Sequence, residues 1–112
     1  MMSAEEIRQL YYGDANLLSN VKPKQSKIEE HKSICLELND LYEKKNHDYG
    51  DSFGETFKEE GFAMSRIRLT DKLNRFKKLT RSTEQKVSDE SIRDTLIDLA
   101  NYAIMTIVEM ER

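Results

Sequence analysis

The stretch DESIRDTLIDLANYAIMTIVEME, from Asp89 to Glu111, contains neither glycine nor proline. Its apolar residues return at intervals of three and four, a period that only an α-helix satisfies. Ile92, Leu96, Leu99, Ala103, Ile107 and Met110 make its main apolar face. Ile97, Ala100, Ile104 and Val108 carry apolar surface further round the cylinder. The pattern predicts a largely buried helix, so the rest of the chain must supply surfaces that cover it. Its start is well marked: Ser88 is a suitable N-cap, Asp89 and Glu90 suit the first turn, and Val87 is placed to staple against Ile92.

Three other segments read the same way. Residues 26–48 open on the capping-box pattern Ser26-Lys27-Ile28-Glu29 and set Ile34, Cys35, Leu38, Leu41 and Tyr42 on one face. Residues 62–80 carry Phe62, Leu69, Leu73 and Phe76 on one side, with Met64 and Ile67 nearly opposite, which predicts a helix sandwiched between neighbours. Residues 3–18 have a weaker pattern, with a capping box at Ser3 and Glu6 and a break at Gly13-Asp14. Between these lie a polar linker around Pro23, the stretch HDYGDSFGET with the composition of a loop, and the linker RSTEQKV. With one proline, four glycines and little period-two alternation, the fold class is all-α: a small bundle of three main helices plus a weaker N-terminal helix. The 112 residues form a single domain, with 1–25 as an N-terminal segment and linker and 26–112 as the bundle core. A chain this short buries a modest fraction of its surface, so completion by homo-oligomerisation, as a dimer or tetramer, is expected.

Charge narrows the partners. The net charge is −3 and the signs are mixed, so no global basic field exists for gripping a DNA duplex and no direct double-stranded DNA binding is expected. The lone Cys35 excludes a disulfide framework within the chain and a multi-cysteine zinc site. No apolar run approaches the ~20 residues that span a bilayer, and the N-terminal MMSAEEIRQLYY lacks the apolar core of a secretory signal. The expected location is the cytoplasm, with no membrane partner.

Against the apolar background of 89–111, Asp94, Asp98 and Asn101 recur at i, i+4 and i+7 on one narrow stripe. Two aspartates four apart repel one another when both are ionised. One reading is that the stripe is the solvent face of the helix. The other is that the carboxylates hold a hard divalent cation such as magnesium, which favours oxygen ligands. Glu37, Lys44 and Asp48 lie along one flank of the 26–48 helix beside its apolar face, which suits Glu37 to meet the aspartates across a bundle. They serve equally well as surface charge. The run RIRLTDKLNRFKK offers Arg66, Arg68, Lys72 and Arg75, where arginine recognises phosphate through its fork and lysine as a point charge. Asp71 is available to pair with Arg68 or Arg75. His47 at a helix end reads as a cap, and Tyr49 and Phe53 suit either stacking on a base or plugging the bundle end.

The blocks KNHDYGDSF, IRLTDKLNRFKKL and DESIRDTLIDLANYAI, in that order, resemble the nucleotide-modification-associated domain (type 1) family, found often in bacteriophages. That family is grouped with the MazG-like all-α nucleoside triphosphate pyrophosphatases, and the resemblance runs from about Ile34 to Ile104. It implies an oligomeric helical bundle and magnesium held by carboxylates from two helices. The superfamily pattern pairs two acids on one helix with two on a later one. Here the pairs are Glu37 with Asp40 and Asp94 with Asp98, the first containing a shortened acid and the second a wider spacing. The resemblance then implies Glu37, Asp94 and Asp98 as metal-holding catalytic residues. Lys44, Asp48, Tyr49, Arg66, Lys72, Arg75 and Asn101 become the nucleotide contacts. The expected reaction is magnesium-dependent cleavage of a (deoxy)nucleoside triphosphate to monophosphate and pyrophosphate. The alternatives are a protein that sequesters a (cyclic) signalling nucleotide unchanged, or a helical self-assembly module with no small ligand.

Overall fold

The computed structural model describes residues 24–81 and 89–112, together with Ser3, Ala4 and Glu6. Four helices run through these residues: α1 (Lys27–Tyr49), α2 (Ser52–Glu60), α3 (Phe62–Arg81) and α4 (Asp89–Met110). No strand occurs among the described residues, so the all-α class holds. The chain divides into two compact units, 1–48 and 49–112.

The first unit contains nearly all of α1. Its start follows the capping box: the Glu29 amide donates to Ser26 Oγ at 3.2 Å, and the Ser26 amide donates to the Glu29 carboxylate at 3.1 Å. Two of the amides that helix geometry leaves orphaned are thereby satisfied. Leu38 is buried and Leu41 and Tyr42 are half-buried, whereas Ile34 and Cys35 are exposed. At the N-terminal segment, the Glu6 amide donates to Ser3 Oγ, one half of the expected box. The remainder of the expected weak helix over 3–18 lies outside the described residues.

The second unit contains a helix where the sequence suggested a loop. Gly50, with φ of 70°, ends α1. Asp51 then caps α2, its carboxylate accepting from the Gly54 amide at 3.2 Å. The glycines and aspartates of HDYGDSFGET read as breakers, yet they are the punctuation between two helices rather than a loop. Gly61 closes α2 with φ of 64° and donates its amide to the Phe57 carbonyl at 2.7 Å. Phe57 and Phe62, on either side of that turn, meet edge to face with centroids 5.5 Å apart, a favoured aromatic geometry.

α3 packs along α4, and α2 touches both. Met64 is buried, as a helix with neighbours on more than one side requires, while Ile67 is exposed. The expectation of a largely buried α4 is not met within this unit. Leu96, Ile104, Ile107, Val108 and Met110 are all exposed. The face that α4 turns to α3 carries Thr95, Asp98 and Thr106. Ile97 is buried and Ile92 and Leu99 are half-buried, so the apolar surface of α4 is covered only in part. The Ser88 cap and the Val87 staple lie outside the described residues.

Candidate functional site

Three polar pairs cross the contact between α3 and α4, a seam that also has half-buried Leu69, Phe76, Ile92 and Leu99 on the same helix faces. The hydroxyls of Ser65 and Thr106 are hydrogen-bonded at 3.0 Å. Lys72 Nζ lies 3.0 Å from Asp98 Oδ2. Arg75 Nε donates to Thr95 Oγ1 at 3.2 Å. As the α3 position rises the α4 position falls, so the helices are antiparallel and the three pairs fix their register.

Each pair has a local cause. Ser65 and Lys72 are seven apart, two helical turns, and so share the face of α3 that meets α4. Thr95 and Thr106 direct their own hydroxyl protons to the carbonyls four residues back, Ser91 and Tyr102, at 2.8 Å each. For Thr95 this leaves the lone pairs to accept from Arg75, while the Thr106 hydroxyl proton is shared between the Tyr102 carbonyl and Ser65 Oγ. Ser65 and Thr95 are almost fully buried, and burial of such groups is tolerated because each is partnered. Lys72 and Asp98 are each 28% exposed, which is shielded enough for orientation to matter and open enough for a ligand to reach.

The seam brings together part of the expected site. Asp98 and Lys72 touch, and Arg75 is anchored one turn along by Thr95, not by Asp71. Asp94 lies one turn before Asp98 on α4 and is exposed, and Asn101 is half-buried. Arg66 and Arg68 are exposed towards the start of α3, and Tyr49 is exposed at the end of α1. Phe53 takes the plugging role: it stacks on Tyr102 of α4 with centroids 6.0 Å apart. In the first unit, Glu37 is half-buried, while Lys44, His47 and Asp48 are exposed along α1. Among the described residues, no group of three or more His, Cys, Asp or Glu side chains is gathered closely enough to hold a metal ion.

Sequence reasoning missed Ser65, Thr95 and Thr106, which organise the seam. Their signal was present as hydroxyl residues on otherwise amphipathic helices. Such residues register as neutral in a hydrophobicity pattern, and only their position across from one another gives them a role.

The family model for nucleotide modification associated domain 1 matches residues 45–110. The chain belongs to that family. No curated protein and no solved structure matches the chain. The span of the nucleotide modification associated domain takes in α2, α3, α4 and the end of α1. Asp48, Tyr49, Arg66, Lys72, Arg75, Asp94, Asp98 and Asn101 therefore fall inside the domain, whereas Glu37 and Lys44 precede it.

Proposed function

We propose that this chain binds a nucleoside triphosphate on the α3–α4 face and cleaves it to monophosphate and pyrophosphate with magnesium. The observation that carries the reading is the meeting of Asp98 with Lys72 and of Arg75 with Thr95 on one seam. Carboxylate and phosphate-binding cations are thus neighbours within the matched family domain. The proposed donors are oxygen only: Asp94 and Asp98, one turn apart on α4, with Glu37 carried over from the resemblance, although no three acids are gathered among the described residues. Such ligands fit a hard cation that keeps part of its water shell. Magnesium held by Asp94 and Asp98 would supply a polarised water and neutralise phosphate charge.

The chain's own residues do the rest. Lys72, Arg75 and Arg66 draw the triphosphate to the seam, with Lys44 and Asp48 as further contacts. Asn101 and Tyr49 orient the sugar or base. Water oxygen bonds to the α-phosphorus and gives up a proton to solvent, the bond to the oxygen bridging to the β-phosphate breaks, and pyrophosphate leaves with the electron pair. We place this activity with the MazG-like pyrophosphatases, in a homo-oligomer of cytoplasmic and bacteriophage setting. The part of the apolar surface of α4 left uncovered supports the oligomer. The test is product analysis with magnesium and a nucleotide panel, using D94N, D98N and E37Q as variants. Full turnover by D98N would remove the mechanism.

One observation favours a second reading, in which the nucleotide is sequestered unchanged. Lys72 already neutralises Asp98 at 3.0 Å, so that carboxylate has a counter-charge without any metal. Recovery of intact nucleotide from the denatured complex distinguishes this reading from hydrolysis.

A further inference from the structure

The second half of α3 differs in charge from the rest of the chain. From Lys72 to Arg81 the sequence is KLNRFKKLTR, with five cations and no acid, in a protein whose acids outnumber its lysines and arginines by 21 to 18. Five residues of this stretch, Asn74, Arg75, Lys77, Lys78 and Arg81, line an open groove of about 750 Å³. Ser65 and Lys72 define the side of α3 that meets α4. By helical rotation Asn74, Lys77, Lys78 and Arg81 fall on the side turned away from it. The groove is therefore distinct from the seam, with Arg75 at the border between the two.

Helix-end electrostatics accounts for part of this arrangement. Lys78 and Arg81 occupy the last turn of α3, where cations are favoured by the helix dipole. Lys77 and Arg75 gain little from that effect, and no carboxylate among the described residues pairs with Lys77, Lys78 or Arg81. Among the described residues the result is a basic surface without paired acids, on a chain of net negative charge.

We propose that this outer groove of α3 is a binding site for a chain of linked phosphates. Lys77, Lys78 and Arg81 supply the charge, and Asn74 supplies a neutral hydrogen-bonding group. Arginine offers a planar fork and lysine a mobile point charge, a combination suited to successive phosphates. From Asn74 to Arg81 the helix rises about 10 Å, longer than a single phosphate occupies. The volume falls in the range of roughly 300–1,000 Å³ usual for small-ligand sites. The described lining residues are cationic or amide-bearing, which suits recognition of phosphate. The ligand is either the polyphosphate of a nucleotide or the backbone of a nucleic acid single strand. The site does not depend on the proposed hydrolysis at the seam.

The test is calorimetric titration of the full chain with inorganic tripolyphosphate, and fluorescence anisotropy with a labelled oligothymidylate, both without magnesium. Wild-type protein should bind tripolyphosphate. The triple variant K77Q/K78Q/R81Q should lose at least tenfold in affinity with an unchanged melting curve, because all three side chains are exposed. K58Q, which removes an exposed cation outside both the groove and the seam, should bind as wild type does, so the loss in the triple variant is not a general effect of charge. Should the ligand be a nucleic acid strand, the oligothymidylate competes with tripolyphosphate and weakens about tenfold or more between 50 and 200 mM salt. Should it be a free nucleotide, ATP competes and the oligothymidylate does not. Equal binding by wild type and the triple variant, or no tripolyphosphate binding by wild type, overturns the proposal.

Discussion

At Gly54 the absence of a side chain is what allows α2 to start where it does. A Cβ there would sit 2.5 Å from Asp51 Oδ2 and 2.8 Å from its Cγ, so G54A must push the capping carboxylate off its amide. Loss of such a cap costs about 1 kcal/mol, and D51A should cost about the same; urea denaturation of both variants checks this. If the cap is the shared cause, the double variant costs little more than either alone. Ser33 presents the opposite case. It is buried in α1, and its hydroxyl has no hydrogen-bond partner among the described residues. Removing a buried group without a partner removes its desolvation cost, so S33A should leave the melting temperature unchanged or raise it. A clear drop would mean that the hydroxyl is bonded in solution. These residue-level features were only partly legible in the sequence. Ser26 and Glu29 could be paired from spacing alone because a capping box is a local pattern. Asp51 and Gly54 could not, because glycine three residues after an aspartate reads more naturally as a turn.

Among the elements, the positions of α1, α3 and α4 were readable from apolar periodicity, with ends that fall within a residue or two of those expected. What periodicity could not give was the direction each helix faces. The apolar side of α4 was the natural candidate for contact with α3, yet the seam runs through Thr95, Asp98 and Thr106. Polar pairs share this contact with apolar residues: the buried hydroxyls of Ser65 and Thr95 need partners, while Lys72, Asp98 and Arg75 keep part of their side chains in water. The energetic role of the Lys72–Asp98 pair should be small, because partly exposed ion pairs contribute about 1 kcal/mol or less. D98N is therefore expected to melt within a few degrees of wild type while losing nucleotide turnover. If D98N lost stability and activity in parallel, the aspartate would be a structural residue and not part of a site.

For the molecule as a whole, the all-α class and the family were both legible, because helix-forming composition and three ordered blocks of sequence are extended signals. The site was legible only in part. Asp98, Lys72 and Arg75 meet along one seam, but Glu37 and Lys44 sit on α1, ahead of the matched domain. A sequence pattern cannot say which flank of one helix lies near another. The exposed Leu96, Ile104, Ile107, Val108 and Met110 make an apolar surface of a kind that marks association sites. Sedimentation should accordingly give a species larger than a monomer, and I107E should shift it towards the monomer.

The central claim is that Asp94 and Asp98 act on a nucleotide beside the cations of α3. The measurement that tests it most directly is incubation of the full chain with magnesium and a panel of nucleoside triphosphates, followed by chromatography of the products. The account predicts a monophosphate and pyrophosphate in equal amounts from at least one nucleotide, with D94N and D98N each reducing the rate at least a hundredfold, on the order expected for loss of a metal-organising carboxylate. Nucleotides recovered unchanged from every incubation, with none retained by the protein, would contradict it.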